Sequence, residues 1–417
     1  MASGPHDRHV LTSRTLAGWI ERRHRAPPDT CMMRSITTYL APACARLMST
    51  RPPTAVQITK TTSPKIKLPK EQLVFGKTFT DHLLTMDWSK PAGWTAPQIT
   101  AYAPFCLDPA ATVFHYALAC FEGMKAYVDD DNQIRLFRPD MNMKRLLNSA
   151  DRLVMPCPDE HIMLDGIKEL VKLDKDWIPK GLGYSLYIRP TLISTYPFLG
   201  VAPSEAVRFY TIMSPVGPYY ASGFKAVSLY ADHEHVRAWP GGAGGSKIGA
   251  NYAPAIKAQR LAMSRGFAQV LWLFGPDLQI TEVGTMNQFF FFKNRDGEPE
   301  LVTAPLTDGT ILPGITRDSI LTLCREWGEF KVSERKITLH EVMEAVEEDR
   351  MIEAFGSGTA AIVSPVKSVH FQGKDYPIPL DPKDPNGQAG ALTQRISRTI
   401  MDIQYGKVDH PWSVIVK

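Results

Sequence analysis

What the sequence has little of narrows its identity first. Six cysteines are scattered over 417 residues, with no Cys-x-x-Cys pair and no partner histidine at metal-ligand spacing. That argues against a disulfide scaffold or a zinc module and fits a reduced compartment. No apolar run reaches the roughly 18 residues a membrane span needs; even Asn287 to Lys293, with four consecutive phenylalanines, is strand-sized. An integral membrane protein is not expected. Positive charge is missing where a nucleic-acid surface would need it. The formal net charge is +4, but residues 1–70 hold 12 Lys/Arg against 3 Asp/Glu, which leaves 35 against 40 in the rest. The body is therefore mildly acidic, and no nucleic acid is expected as a partner.

Acidic residues are absent from Thr30 to Lys70, where seven basic residues are interleaved with Ser and Thr. This is the composition of a mitochondrial transit peptide. Residues 1–65 are therefore set apart as a presequence or disordered segment, with a matrix location expected and a cytoplasmic one as the alternative. An upstream extension is a further alternative, since Met32 and Met33 begin a more typical presequence.

With 44% hydrophobic and 22% charged residues, the chain can bury a large core and is expected to form two domains. The patterning after residue 65 is that of a mixed α/β (α+β) protein without internal repeats. Ala126–Val128 and Ile134–Phe137 flank an Asp/Asn-rich turn and read as a hairpin. A helix is expected from Pro139-Asp140 to about Val154, with Met143, Leu146, Leu147 and Leu153 on its apolar face, and another near His161 to Leu173. Strands are expected at Ser185–Ile193, Arg208–Met213 and Lys225–Tyr230, with Pro215 to Pro218 as the linker between a small domain (66–217) and a larger one (218–417). In the second unit the pattern predicts a helix from Tyr252 to Arg265, a strand at Val270–Phe274, strands around Thr281 and Phe290, and a helix from Arg317 to Trp327.

The densest local signal is the block from Trp239 to Tyr252, in which four glycines precede Lys247 and one follows. Such a backbone can adopt positive φ and approach a ligand closely. A nucleotide phosphate loop is disfavoured, because Ser246 stands where the second glycine is needed and Ile248 where the magnesium hydroxyl is needed. Local composition leaves a surface lysine in a flexible loop open. His233-Glu234-His235 would place two histidines on one strand face, but no third and fourth ligands are evident, so no metal is expected.

Further motifs stand around this block: Phe75-Gly76, Phe79-Thr80-Asp81-His82, Phe121-Glu122-Gly123-Met124-Lys125-Ala126, Arg135-Leu136-Phe137-Arg138-Pro139 and Tyr187-Ile188-Arg189-Pro190. Leu199-Gly200-Val201, Thr281 to Asn287, Leu312 to Arg317 and Gly356 to Ala360 complete the set. In order and spacing they make the chain, from about Phe75 onward, similar to the branched-chain aminotransferases, two-domain pyridoxal 5'-phosphate enzymes of fold type IV that include D-amino acid aminotransferase.

The resemblance implies a cofactor site residue by residue. Lys247 resembles the Schiff-base lysine, whose neutral amine moves a proton between substrate and cofactor when burial and a neighbouring cation depress its pKa. Glu282 resembles the carboxylate that pairs with the pyridine nitrogen. Tyr252 resembles the partner of the phenolic oxygen, and Arg145 the phosphate arginine. Backbone N–H groups of Ile315 and Thr316, just ahead of a helix beginning near Arg317, would cradle the phosphate together with the hydroxyls of Thr285 and Thr359. Taken singly, each has a plain alternative: an exposed edge-strand glutamate, a core aromatic, an exposed helix cation.

For the substrate, Phe75, Tyr116, Phe121, Tyr187 and Tyr219 match the aromatic enclosure of an aliphatic side chain, and Arg189 matches the residue that receives glutamate's distal carboxylate. The α-carboxylate would be taken by backbone N–H groups of Thr359 and Ala360 in the Gly-Ser-Gly turn. Leu199 and Val201 belong to a loop that in the family crosses a dimer interface, which implies a homodimer. The implied reaction is reversible transfer of the amino group of L-leucine, L-isoleucine or L-valine to 2-oxoglutarate. Alternatives are a transaminase of specialised metabolism, a D-amino acid transaminase, an aminodeoxychorismate lyase and a non-catalytic binder. One departure is clear: mammalian members carry Cys-x-x-Cys after the Thr-Ala pair, but Ala361 and Ser364 stand there, which excludes a thiol–disulfide switch at this place. Tyr196-Pro197-Phe198 and Pro240 are further departures, and they bear on fine substrate preference.

Overall fold

Long strands rich in β-branched and aromatic residues organise the molecule, for which a computed structural model describes residues 55–218, 225–384 and 387–417. The expected presequence up to residue 54 and the pocket candidate Tyr219 lie outside the described residues. Ser185–Ser194 and Ala206–Val216 pair antiparallel over their whole length, from Ser185 opposite Val216 to Ser194 opposite Val207. They form the centre of a ten-stranded sheet. On one side lie His82–Ser89, Gln98–Ala101 and Gln57–Ile58; on the other, Met124–Val128, Ile134–Phe137 and Ser413–Ile415. The expected hairpin is thus present, with Ala126 opposite Leu136.

Two expectations shift here. Pro215 and Val216 end a sheet strand, paired with Leu186 and Ser185, and so are not linker. The folded part also starts before residue 66: Gln57 and Ile58 pair with Gln98 and Ile99, and Thr61 N donates to His82 Nε2 at 2.9 Å.

Two helices share a core with this sheet. Pro139–Arg152 starts with proline at its first turn, and Glu160–Leu173 is capped by the Asp159 side chain, which accepts from His161 N and Ile162 N. Met143 and Leu146 from the first helix and Ile167 and Leu170 from the second are buried with Leu84, Met86 and Phe209 of the sheet.

The second sheet closes on itself. Val227–Asp232 is flanked in parallel by Gln269–Phe274 and Ile362–Phe371. Gln279–Val283 pairs antiparallel with both Gln269–Phe274 and Met286–Lys293, and the latter reaches Ile362–Phe371 through Met351–Gly358. The four phenylalanines show why this run forms a strand. Successive side chains point to opposite faces: Phe290 and Phe292 join one core with Leu229 and Val366, while Phe289 and Phe291 join another with Ile320 and Ile396.

Several boundaries differ from expectation, the strands expected at Arg208–Met213 and Lys225–Tyr230 being Ala206–Val216 and Val227–Asp232. The helix expected from Tyr252 is Ala255–Ser264, preceded by a short turn at Gly249–Asn251, because Pro254 disfavours helical backbone before it. The next helix is Ile315–Trp327, which makes Ile315 and Thr316 its first two residues. Gly356-Ser357-Gly358 is strand, and the turn is Thr359-Ala360-Ala361. His233 and His235 lie in a bend past the strand end, where His235 Nδ1 is 3.0 Å from Asp232.

The alternating core yields a stability prediction. Phe290→Ala should cost roughly 3–5 kcal/mol, as expected for truncating a buried aromatic, whereas Ile256→Ala, at an exposed helix position, should cost under about 0.5 kcal/mol. Urea unfolding of both variants checks this; comparable losses would refute the core assignment.

Candidate functional site

The lysine loop is stitched to the first sheet by backbone bonds. Phe121 N donates to Lys247 O at 3.0 Å, and Cys120 forms an isolated antiparallel bridge with Ile248. Lys247 N donates to Ser149 Oγ at 2.8 Å, which ties the loop to the helix Pro139–Arg152. Of the glycines around the lysine only Gly241 has positive φ. Gly244 is needed for packing, since a Cβ there would lie 2.7 Å from Gly309 O.

The Lys247 side chain is part-buried, with Nζ 3.2 Å from Tyr252 Oη and 4.7 Å from the centre of the Phe121 ring. Burial, reinforced by Arg145 and Arg189 against Glu122 and Glu282, lowers its pKa to about 7. The lysine is thus poised to be neutral near physiological pH. Burial, with Glu282, pushes the Tyr252 phenol up to about 12, so it remains a proton donor.

Two buried carboxylates flank this amine. Glu122 follows the strand Ala119–Phe121 and is fully buried. Its oxygens accept from Arg145 Nε and Nη2 at 2.7 and 2.8 Å, and from Asn142 Nδ2 at 2.7 Å. Arg145 Nη1 donates to Pro313 O at 3.0 Å. Glu282, 2% exposed in the strand Gln279–Val283, pairs with Arg237 Nε at 2.6 Å. It also accepts from Leu312 N at 2.8 Å and Asn287 Nδ2 at 3.2 Å. Burial raises its pKa, with Arg237 opposing. Contrary to the plain alternatives, Glu282 is no exposed edge residue and Arg145 no exposed helix cation.

An aromatic wall completes the surroundings. Phe75 packs on Tyr187 with ring centres 4.8 Å apart, and Phe121 on Tyr252 at 5.1 Å. Arg189 lies 4.7 Å from the Phe121 ring centre and donates to Tyr187 Oη at 2.9 Å, while its Nε is buried without a partner. Gly123 has no room for a side chain, because a Cβ would stand 2.2 Å from Tyr187 Oη. Thr359 Oγ1 donates to Gly123 O at 3.4 Å. Ile315, Thr316 and Thr359 line one narrow cavity of about 20 Å³, and Ile315–Trp327 begins at Gly314 without a side-chain cap. Its first amides lack intrahelical acceptors.

Some candidates stand apart. Thr285 lies in the exposed turn between two strands. Leu199 and Val201 are 64% and 82% exposed, on a loop whose Leu199 O accepts from Tyr116 Oη. Sequence reasoning assigned no role to Glu122, Ser149, Arg237 or Asn287. Glu122 stood in a quoted motif; Arg237 carried no local signal, since its burial depends on Glu282, distant in sequence. Chemically, the assembly offers a neutral amine, a phenol, a buried carboxylate and several cations around one point, which suits proton transfer on an anionic ligand.

Residues 119–369 match the family described as amino-transferase class IV. A branched-chain-amino-acid aminotransferase of Dictyostelium discoideum is 54% identical over 360 residues, spanning 86% of this chain and 94% of its own length. A mitochondrial branched-chain-amino-acid aminotransferase of Saccharomyces cerevisiae is 51% identical, spanning 87% and 92%. Among solved structures, the branched-chain amino acid aminotransferase from Thermobaculum terrenum in its PLP form superposes with a TM-score of 0.63 at 21% identity, covering 81% of this chain and 98% of its own.

The depressed lysine has a consequence for the unliganded chain. Unfolded, Lys247 titrates near 10.5; folded, near 7. Between those values the unfolded state binds more protons, so stability rises with pH. From pH 7 to 9 the parent should gain roughly 2 kcal/mol over Lys247→Met; equal pH slopes in urea unfolding would show a solvated amine.

Proposed function

The chain belongs to the class IV amino-transferase family and is a pyridoxal 5'-phosphate-dependent branched-chain-amino-acid transaminase, and on that premise we propose how its own residues carry the reaction. It exchanges the amino group between L-leucine, L-isoleucine or L-valine and 2-oxoglutarate, giving branched 2-oxo acids and L-glutamate. When bound, the cofactor supplies an electron sink that lets the substrate Cα release its proton.

The residues present fit that group. Lys247 would hold it, and the Lys247 amine would take and return the Cα proton. The observation that carries this reading is the Lys247 amine, 3.2 Å from Tyr252 Oη and brought near neutrality by burial and by Arg145. Glu282, held in place by Arg237, Asn287 and Leu312 N, would accept from the pyridine N–H. Arg145 has five N–H donors, of which three are engaged by Glu122 and Pro313. The remaining two, with the open amides of Ile315 and Thr316, serve the phosphate.

Phe75, Tyr116, Phe121 and Tyr187 receive the aliphatic chain. Arg189, with its unpartnered Nε, binds glutamate's distal carboxylate. The α-carboxylate goes to the backbone N–H groups of Thr359 and Ala360. The two sheets are read as the two domains, with Ser413–Ile415 returning to the first.

The exposed apolar Leu199 and Val201 support a homodimer in which this loop meets the partner. A monomeric mass by light scattering at micromolar concentration would refute it. The stretch from Thr30 to Thr54, with Arg34, Arg46 and Arg51 and no acidic residue, supports a mitochondrial matrix location; a purely cytosolic signal on cell fractionation would count against it.

Lys247→Ala should abolish leucine-to-2-oxoglutarate transamination together with the visible absorbance of the bound cofactor, and persistence of both would overturn the assignment. Arg189→Leu should raise KM for 2-oxoglutarate at least about ten-fold and KM for leucine far less, the loss expected for one charge-assisted hydrogen-bond pair. Steady-state kinetics with each substrate varied decides this, and equal changes would remove Arg189 from the distal-carboxylate role.

A further inference from the structure

Lys125 lies on the strand Met124–Val128, opposite Tyr187, and is 7% exposed. Among the described residues its ammonium meets one hydrogen-bond acceptor, Ala360 O at 2.8 Å, and no carboxylate lies at ion-pair distance. A buried cation without a counter-charge costs several kcal/mol that an aliphatic side chain would not. Its place gives that cost a purpose. Ala360 belongs to the turn joining Met351–Gly358 to Ile362–Phe371, and the other side of that turn is held by Thr359 Oγ1 on Gly123 O. Lys125 thus pins the turn from beneath.

We propose that Lys125 is a positioning residue for the substrate's α-carboxylate, fixing the Thr359–Ala360 turn through the Ala360 carbonyl and placing a positive charge behind it. This rests on the assignment of the α-carboxylate to that turn. The substrate anion, absent from the protein's own groups, is the counter-charge the ammonium lacks. The polar side chains lining the same narrow cavity are Tyr127, Asn142, Gln404, Thr316 and Thr359, and Tyr187 lies opposite on the neighbouring strand. None of these is a carboxylate, and burial pushes the Tyr127 phenol well above the ordinary value, so it supplies no negative charge. Gln404 Oε1 is buried there without a partner. Burial lowers the Lys125 pKa to about 8. The charge is therefore present at neutral pH and fades as pH rises through that value, and carboxylate binding, which favours the charged form, should weaken with it.

The test uses the cofactor-loaded protein and 4-methylpentanoate, a carboxylate with no amino group to transfer, titrated by its effect on the visible spectrum. Lys125→Met should raise the Kd for this acid at least about ten-fold while cofactor retention changes by less than two-fold. The parent's affinity should fall above about pH 8 through a step that the variant lacks. Lys125→Gln, which restores a donor without the charge, should show the same missing step and guards against a folding defect in the first variant. An unchanged Kd would overturn the proposal, as would an equal weakening of cofactor retention, which would assign the charge to the phosphate. Failure of the parent to take up cofactor would overturn the underlying reading, and this inference with it.

Discussion

Glu122 has no solvent exposure, and both of its oxygens are taken by the Arg145 guanidinium, with Asn142 completing the shell. Removing one member of such a pair leaves a charge in a low-dielectric setting, at a typical cost of about 3–5 kcal/mol. The geometry around it is correspondingly stiff. Arg145 reaches Pro313 O, just ahead of the helix Ile315–Trp327, and one turn along its own helix Ser149 receives Lys247 N. The strand end at Phe121, the lysine loop and the open helix terminus are all referred to one helix, Pro139–Arg152. The site inherits its distances from that shared support.

Charge balance explains why these groups stand together without being neutral on their own. Four buried or half-buried cations, Arg145, Arg189, Arg237 and Lys125, face two carboxylates, Glu122 and Glu282. With Lys247 neutral, the excess is positive. Such an excess disfavours the charged lysine, which is why Arg145 and Arg189 lower its pKa, and it also favours anionic ligands. The feature that prepares the amine for proton transfer and the feature that attracts phosphate and carboxylate are the same surplus.

The elements were legible where periodicity is local and strong. The helix face of Met143 and Leu146, the hairpin around Asp129 to Gln133 and the strand character of the phenylalanine run all follow from side-chain spacing. The boundaries that moved are those set by backbone chemistry: Pro254 delays a helix, and Gly356-Ser357-Gly358 continues a strand that composition suggested was a turn. At the site, motifs singled out Lys247, Glu282, Tyr252 and Arg145, but their partners Arg237 and Ser149 stood outside every motif. Arg237 and Lys125 acquire meaning only through Glu282 and Ala360, and the second of those separations is 235 residues. No local pattern carries such information, because it arises from tertiary packing.

The strand Ser413–Ile415 pairs with Ile134–Phe137, and Arg135 meets Ser413 across 278 residues of chain. A growing polypeptide therefore exposes the edge of Ile134–Phe137 until the whole closed second sheet has been made. Unpaired edges of this kind invite association with other strands. Completion of the first sheet thus waits on synthesis of the second, and through that interval the Ile134–Phe137 edge stays open to strands from other chains.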